Sequence, residues 1–354
     1  MSGIICGKLL QKINNILFFK FLFLSLSLFF LFLFYSCEKK FIDVEPVTIS
    51  FGTGDVTGTY YQTGAIIGKF VEENTTKNNM KVSVESTEGS VANINAVMKG
   101  TMQFAFAQSD RQYQAYKGIE DWKSSGAQKK LRSIASIYPE SITVIATEES
   151  QIKELADIKG KKIGLGVNGS GVLSNARDVL KVYAINESDF EAKFVKPLEA
   201  FKLIREGGLD AFFYTIGHPS TNIKNLTMTA NLKLRFISLM GRERDQVTSK
   251  FPYYTDTVIS ASTYPLALNE RDIPTIGVLA TLVTSSKVDD EIVYRFTKEF
   301  VENFEKLKES GPVYKNLSKD KMFDGLTAPI HPGAMKYYKE AGLNKYIDKS
   351  LILQ

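Results

Sequence analysis

The chain has 354 residues, 44% of them hydrophobic and 23% charged, with a formal net charge of +5. Its two cysteines, Cys6 and Cys37, and its two histidines, His218 and His331, are too few for a disulfide framework or a metal site built on Cys or His. Lys8, Lys12 and Lys20 lie in residues 1–36, which carry no acid; without them the charge is about +2, and so near-neutral a body gives no ground for a nucleic-acid partner.

Residues 1–36 read as an export signal. The basic start leads into FLFLSLSLFFLFLFYS, residues 21–36, which is uncharged, and then into Cys37 and EKK. A basic region, an apolar stretch and a small residue before the cut describe a secretory signal, and the stretch is short for a membrane span of ~20 residues. Cys37 directly after Ser36 resembles a bacterial lipobox, in which the Cys is lipidated and becomes the mature N-terminus. Lipoboxes usually carry Leu three residues before the Cys, where this chain has Phe34. The expectation is a periplasmic protein held to a bacterial membrane by a lipid on Cys37, with residues 37–46 as a tether. An uncleaved N-terminal anchor is the alternative. Loss of Cys6 and blocking of Cys37 would leave the exported body without a thiol.

The remaining stretch of about 310 residues is enough for two lobes with separate cores. The same unit occurs twice in it. The first copy runs as strand VTISF, a Gly-rich loop, a helix from about Tyr60 to Glu73, strand KVSVES, loop TEGS, helix VANINAVMKG and strand MQFAFAQSD. The second runs as strand KKIGLG, loop VNGSG, a helix from about Leu173 to Tyr183, strand AKFV, helix PLEAFKLIREGG and strand LDAFFYTIG. VMKGTMQFAFA aligns over IREGGLDAFFY, with Gly100 over Gly207, as if a helix stopped at glycine in both copies. Repeated βαβ units predict a parallel sheet covered by helices in each copy. The predicted fold is therefore α/β, two similar Rossmann-like lobes joined by a two-segment hinge. The apolar runs SITVIAT and TIGVLATLVTS lie outside the repeat and are the expected hinge segments. Lobe one would comprise residues 47–143 and 275–354, and lobe two residues 144–274. YPLALNERDIP reads as an irregular loop, and DDEIVYRFTKEFVENFEKLKES as a helix with acids at its start.

The opening loop, FGTGDVTGTYY, has glycines at 52, 54 and 58 between a strand and a helix. A P-loop needs Lys and Ser or Thr after its last glycine, but Gly58 is followed by Thr59 and Tyr60. The spacing is a loosened dinucleotide fingerprint, with Glu85 ending the next strand where a ribose-binding acid would sit, but export argues against a nicotinamide cofactor. GTGDVTGTYY, STEGSVAN, AQSD, NGSGV and TIGHPS all fall where strands end, the edge at which open α/β sheets bind ligands. Two such edges facing one another make a cleft of N–H groups, hydroxyls and amides suited to a small anion, most simply a carboxylate. Each loop taken alone also reads as helix caps and turns.

The segments FGTGDVTGTYYQTGAIIGK, ESTEGSVANINAVMKGTMQFAFAQSD, DIKGKKIGLGVNGSGV, DAFFYTIGHPS and TAPIHPGAMKYYKEAG resemble those of TAXI-family solute receptors of tripartite ATP-independent periplasmic (TRAP) transporters, in order and over nearly all of the chain from Val47. The resemblance implies a type 2 periplasmic binding protein fold and a glutamate-like or related carboxylate ligand. Carried onto this chain, the matching segments imply Thr53, Gly54 and Tyr60 or Tyr61 on the first-lobe side. Ser90 and Asn93 would stand at the next helix, and Gln108, Ser109 and Asp110 at the end of the third strand. Asn168, Ser170 and Gly171 would face them, and His218 would follow the last strand. Asp110 would either hold an α-amino group or cap a helix; His218 before Pro219 reads equally as a turn. Neither Arg111 nor Arg177 sits in a motif that marks an anion clamp. The expected function is capture of a small anionic organic solute for TRAP permease subunits, with no cofactor, no metal and no catalytic residue. A receptor for a membrane signalling protein is the alternative, followed by an exported enzyme on the same fold, for which no nucleophile–base pair is visible.

Overall fold

The structure, a computed structural model, describes residues 46–74, 79–251 and 253–353. The expected signal, the lipidation site Cys37 and the tether up to residue 45 lie outside the described residues. Among those described, no helix is long and apolar enough to cross a membrane.

The first lobe opens with β1 (Val47–Gly52), α1 (Thr59–Glu73), β2 (Met80–Glu85), α2 (Ser90–Lys99), β3 (Phe104–Gln108) and α3 (Ser109–Lys117). β4 (Leu131–Thr147) then leaves it. The second lobe holds β5 (Lys162–Gly164), α4 (Gly171–Val182), β6 (Glu191–Lys193), α5 (Pro197–Arg205), β7 (Ala211–Ile216), α6 (Thr221–Thr227), β8 (Leu234–Ile237), α7 (Gly241–Lys250) and β9 (Thr255–Ile259). β10 (Ile273–Ser285) returns to the first lobe, which α8 (Asp290–Glu302), α9 (Phe304–Glu309) and α10 (Pro332–Glu340) complete.

The sheet order is β2-β1-β3-β10-β4-β7-β5-β6. Each lobe thus has three parallel strands in the same relative order, β2-β1-β3 and β6-β5-β7, closed by an antiparallel fourth. That fourth strand is β10 in the first lobe and β4 in the second, so the repeat seen in sequence is a repeat of topology. Gly100 and Gly207, the two aligned glycines, both stand just past a helix in the left-handed region, φ +84° and +71°, where a side chain would be strained.

β4 and β10 are the two shared strands. Leu131–Pro139 of β4 pairs with the second half of β10, while Ser141–Ala146 pairs with β7. β10 pairs with β9 over its first residues and with β3 from Ala280 onward, with a register shift between Leu279 and Thr281. Residues 141–143 and 275–277, counted with the first lobe on sequence grounds, hydrogen-bond to β7 and β9.

Period-two alternation on the strands divides each lobe's core between the faces of its sheet. Phe51, Phe104 and Phe106 pack with Phe296 of α8 on one face of lobe one, while Ala105 and Ala107 pack with Ile94, Val97 and Trp122 on the other. In β7, Phe213 joins Leu173 and Val179 of α4, and its neighbour Phe212 joins Phe201 and Ile204 of α5. Each such buried aromatic contributes about 1.5–3 kcal/mol of transfer free energy. The expected long C-terminal helix breaks at Asn303, which caps both α8 and α9. β8, α7 and β9 have no counterpart in the sequence reading: the strands are short, and GRERDQVTSK of α7 buries only Val247.

Candidate functional site

The parallel strands of both lobes direct their carboxyl ends toward one cavity of about 70 Å³, several times the ~10–15 Å³ that one water requires. Lobe one lines it with Gly54, Asp55, Gly58, Thr59, Tyr60, Glu88, Gly89, Ser90 and Gln108, and lobe two with Ser170, Gly171, Val172, Tyr214, Thr215 and Ile216. Glu140, on the shared strand β4, lines it from between them.

Two helix starts meet here. α1 is capped by Gly58, which offers no side-chain acceptor, and the amides of Thr59, Tyr60 and Tyr61 have no hydrogen-bond partner among the described residues. α4 begins at Gly171. Ser170 Oγ is used within its own turn, accepting from the Leu173 amide at 3.1 Å and donating to the Val167 carbonyl at 2.7 Å. The Gly171 and Val172 amides are left facing the cavity without a described acceptor. Unfilled N–H groups at the positive ends of two helix dipoles form an anion-binding pole.

The same cavity also carries the acids Asp55, Glu88 and Glu140. Tyr60 Oη donates to Glu140 Oε2 at 2.8 Å, and the Tyr60 ring stacks on Phe106 at 4.9 Å. Glu140 is 3% exposed, and burial pushes its carboxyl up to about 8. Burial, then the nearby carboxylates of Asp55 and Glu140, raise the Tyr214 phenol; among the described residues its hydroxyl has no hydrogen-bond partner, and neither has the side-chain oxygen of Gln108. Among the described lining residues there is no Lys or Arg.

Of the residues singled out in sequence, Gly54, Tyr60, Ser90, Gln108, Ser170 and Gly171 line the cavity. Between the adjacent tyrosines it is Tyr60 that points inward. Thr53, Tyr61, Asn93, Ser109, Asp110, Asn168 and His218 do not line it. Thr53 and Asn93 brace the loop from below: Asn93 Nδ2 donates to the Thr53 and Phe106 carbonyls, and Thr53 Oγ1 to the Glu85 carbonyl. Ser109 Oγ accepts from the Leu279 amide where β10 crosses between lobes. Asn168 is exposed. His218 is held between Thr143 Oγ1 at 2.9 Å and Tyr264 Oη at 2.6 Å, and burial lowers its imidazole to about 4.

Asp110 belongs to an interlobe network. It pairs with Arg111 at 2.9 Å, accepts from Asn175 Nδ2 of α4 at 2.5 Å, and is fully buried. Arg111 also reaches Asp178 of α4 at 2.9 Å and Asp121 at 3.1 Å. It is therefore a lobe-to-lobe tie and not a clamp on the cavity. Arg177 pairs with Glu187 on the surface. Other ties cross at the rim: the Gly169 carbonyl accepts the Val91 and Ala92 amides of α2 at 3.1 and 3.0 Å, Asn222 Nδ2 donates to the Thr57 carbonyl, and Lys196 faces Glu88 at 3.9 Å. Glu140 and Tyr214 were missed in sequence: Tyr214 is a phenol inside the apolar run AFFYTI, and Glu140 stands one residue before the run SITVIAT.

Two α/β lobes of the same topology, sharing two strands and enclosing a polar cavity at their strand ends, are the architecture of the type 2 periplasmic binding protein fold. The chain belongs to the NMT1-like family, whose model matches residues 51–342, in keeping with the TAXI-like character of its segments. Among solved structures it is similar to the alkanesulfonate-binding protein SsuA from Xanthomonas axonopodis pv. citri bound to MOPS, with 14% identity, a TM-score of 0.42, and coverage of 88% of this chain and 96% of that one. It is similar to an ancestral arginine-binding protein bound to arginine, with 15% identity, a TM-score of 0.46, and coverage of 75% and 98%. The GluR0 ligand-binding core in complex with L-glutamate matches with 10% identity, a TM-score of 0.45, and coverage of 75% and 96%.

Proposed function

We propose that this chain is the extracytoplasmic receptor of a TRAP-type secondary transporter and captures a small anionic organic solute by its carboxylate. The observation that carries the reading is the meeting of α1 and α4, one from each lobe, with unfilled N–H groups aimed into one cavity. A carboxylate there accepts from both lobes at once, so binding favours closure about β4 and β10. In this reading the receptor has no catalytic role: the two serine hydroxyls at the cavity, Ser90 and Ser170, serve the Gln108 amide and the α4 start. The bound solute is handed to membrane permease subunits, and a lipid on Cys37 keeps the receptor at the membrane.

Native mass spectrometry of the purified body identifies a co-purified acid. Calorimetry against glutamate, glutamine, 2-oxoglutarate, succinate, ATP and NADPH tests the class. Binding of an acid supports the reading, and tight binding of a nucleotide with no acid bound overturns it. Cys37→Ala is expected to leave unprocessed precursor; a lipid-labelled band of mature size in that variant removes the anchor.

A further inference from the structure

We infer that a crevice beside the hinge is a second binding site, that it takes a flat aromatic carboxylate, and that filling it favours the closed lobes. The crevice shares no lining residue with the cavity at the strand ends, so it stands whatever solute that cavity takes.

The crevice holds about 660 Å³, within the ~300–1,000 Å³ usual for small-molecule sites. Both lobes and the hinge build it. Tyr113, Tyr116 and Lys117 come from one face of α3 in lobe one, Tyr253 from just before β9 in lobe two, and Leu279 from β10 at its crossing. Gly325 closes it against the hinge: its φ is +67°, and a Cβ there would stand 2.7 Å from Leu279 Cδ1. Tyr113 and Tyr253 meet across the lobes with ring centroids 5.2 Å apart and planes tilted by 51°. Walls of this kind take a flat ring by stacking and edge contact.

Charge decides the other end of the ligand. Lys117 Nζ lies 5.9 Å from the centre of the Tyr113 ring, and Lys129 Nζ 4.2 Å from that of Tyr116. Neither lysine has an ion-pair partner among the described residues. The rings are already served by cations, and what this end lacks is an anion. Tyr253 Oη accepts from Gln114 Nε2 at 2.8 Å, which leaves its own proton to donate. The one acid among the described lining residues, Asp324, stands beside Gly325, whose Cβ would lie 3.6 Å from Ser109 Cβ. Ser109 and Lys117 are the two ends of α3, about 12 Å apart by the helix rise. A carboxylate seated on Lys117, with its ring against Tyr113 and Tyr253, therefore points away from Asp324. The walls belong to different lobes, so hinge rotation changes the space between Tyr113 and Tyr253. In this structure the contacts of Gly169 with α2 hold the lobes together, and a molecule that fits the crevice in that state favours it. By linkage, solute and crevice ligand strengthen one another's binding.

The test is calorimetry of the purified protein with 2-naphthoate, against octanoate and 2-naphthylmethylamine as the aliphatic acid and the aromatic cation. Naphthoate is expected to bind roughly tenfold more tightly than either. Tyr113→Ala should weaken it roughly tenfold and Lys117→Gln about threefold, with circular dichroism unchanged. Lys117 is exposed, so its variant reads the site even where loss of Tyr113 disturbs the fold. Small-angle scattering of the solute-free protein should give a smaller radius of gyration once naphthoate is bound. Equal affinity of naphthoate for the native chain and both variants places it elsewhere and overturns the site. Octanoate or the amine binding as tightly as naphthoate overturns the ligand class, and no binding by any of the three removes the site altogether. An unchanged scattering curve at saturating naphthoate overturns the link to closure.

Discussion

Burial moves the proton affinities of Glu140 and His218 in opposite senses. Glu140 is raised from 4.5 to about 8, and His218 is lowered from 6.5 to about 4. A carboxyl raised in the folded state holds its proton more tightly there, so its contribution is full below 4.5 and is lost as pH climbs toward 8. An imidazole lowered in the folded state contributes above 6.5, and that contribution is lost as pH falls toward 4. The two slopes oppose one another between 4.5 and 6.5, and above 6.5 only that of Glu140 remains. Ligand-free protein should therefore lose on the order of 2 kcal/mol between pH 6.5 and 8 in urea titrations. Glu140→Gln should be level across that window; a native chain that is equally level would refute the raised carboxyl. A second single-residue outcome concerns Gly171. A Cβ there would stand 1.9 Å from Gln108 Oε1 and 2.5 Å from Cδ. Gly171→Ala must push the Gln108 side chain aside or hold the lobes apart, and should weaken solute binding at least tenfold; calorimetry reads it. Gly54 has more room, its nearest neighbours being Tyr60 atoms at 3.8 Å. Site residues such as Gly54, Ser90 and Ser170 were legible because small residues before helices have a local reason to be there. Glu140 was not, since the predicted strand SITVIAT begins one residue after it, whereas β4 begins at Leu131. Asp110 was legible as a polar residue but not as a tie, because Arg111 and Asp178, the ion pair beside it, lie 67 positions apart.

The start of helix α2 behaves differently from those of α1 and α4. Its first amides, Val91 and Ala92, are already filled by the Gly169 carbonyl of the opposite lobe. This helix end thus serves closure, and the other two are left for the solute. Gly169 has φ +87°, and a Cβ on it would lie 3.5 Å from Ala92 Cβ and Glu88 Cβ. Gly169→Val combines left-handed strain of about 1–2 kcal/mol with crowding at the lobe contact. It should lower apparent affinity roughly tenfold by depopulating the closed form, with the solute-free melting temperature lowered by less than a core substitution would cause. Unchanged affinity in this variant would show that the Gly169 contact does not contribute to closure. Elements of this kind are legible where the repeat carries them: the aligned Gly100 and Gly207 mark two helix ends in the sequence itself. Beyond the second copy the signal vanished. β8 has only Leu234–Ile237, β9 alternates weakly with Thr255, Asp256 and Val258 exposed, and α7 is almost wholly polar. Such segments are held by pairing to β4 and β10, a tertiary cause that no local pattern records.

At the scale of the whole molecule, the interlobe ties fall into two sets. One is the buried network of Arg111, Asp110, Asp178, Asn175 and Tyr254, in which one guanidinium faces two buried carboxylates, Asp110 and Asp178, and the more exposed Asp121. Arg111→Met leaves both acids without their cation, and should cost about 3–5 kcal/mol in chemical denaturation. A loss under 1 kcal/mol would mean that water reaches the acids in solution. The other set lies at the rim, where Gly169 meets α2, Asn222 meets Thr57, and Lys196 meets Glu88. These rim contacts are few; Lys196 and Glu88 are about half exposed, 45% and 51%, so their attraction is screened and worth little. The rim alone therefore holds the lobes together weakly, and a solute bridging α1 and α4 adds charge-assisted hydrogen bonds from both sides. β4 and β10 are the covalent links, and the register shift after Leu279 sits where β10 passes from one lobe's pairing to the other's. Rotation about that crossing leaves each lobe's core intact, because the cores do not share a face across it. The expected outcome in small-angle scattering is a larger radius of gyration for the solute-free chain, falling on saturation with the solute that calorimetry identifies. Gly169→Val should scatter as the larger form at solute concentrations that close the native chain, and should reach the same compact limit at higher concentration. Identical curves with and without saturating solute would mean that the two lobes are one rigid body and that the cavity fills without closure.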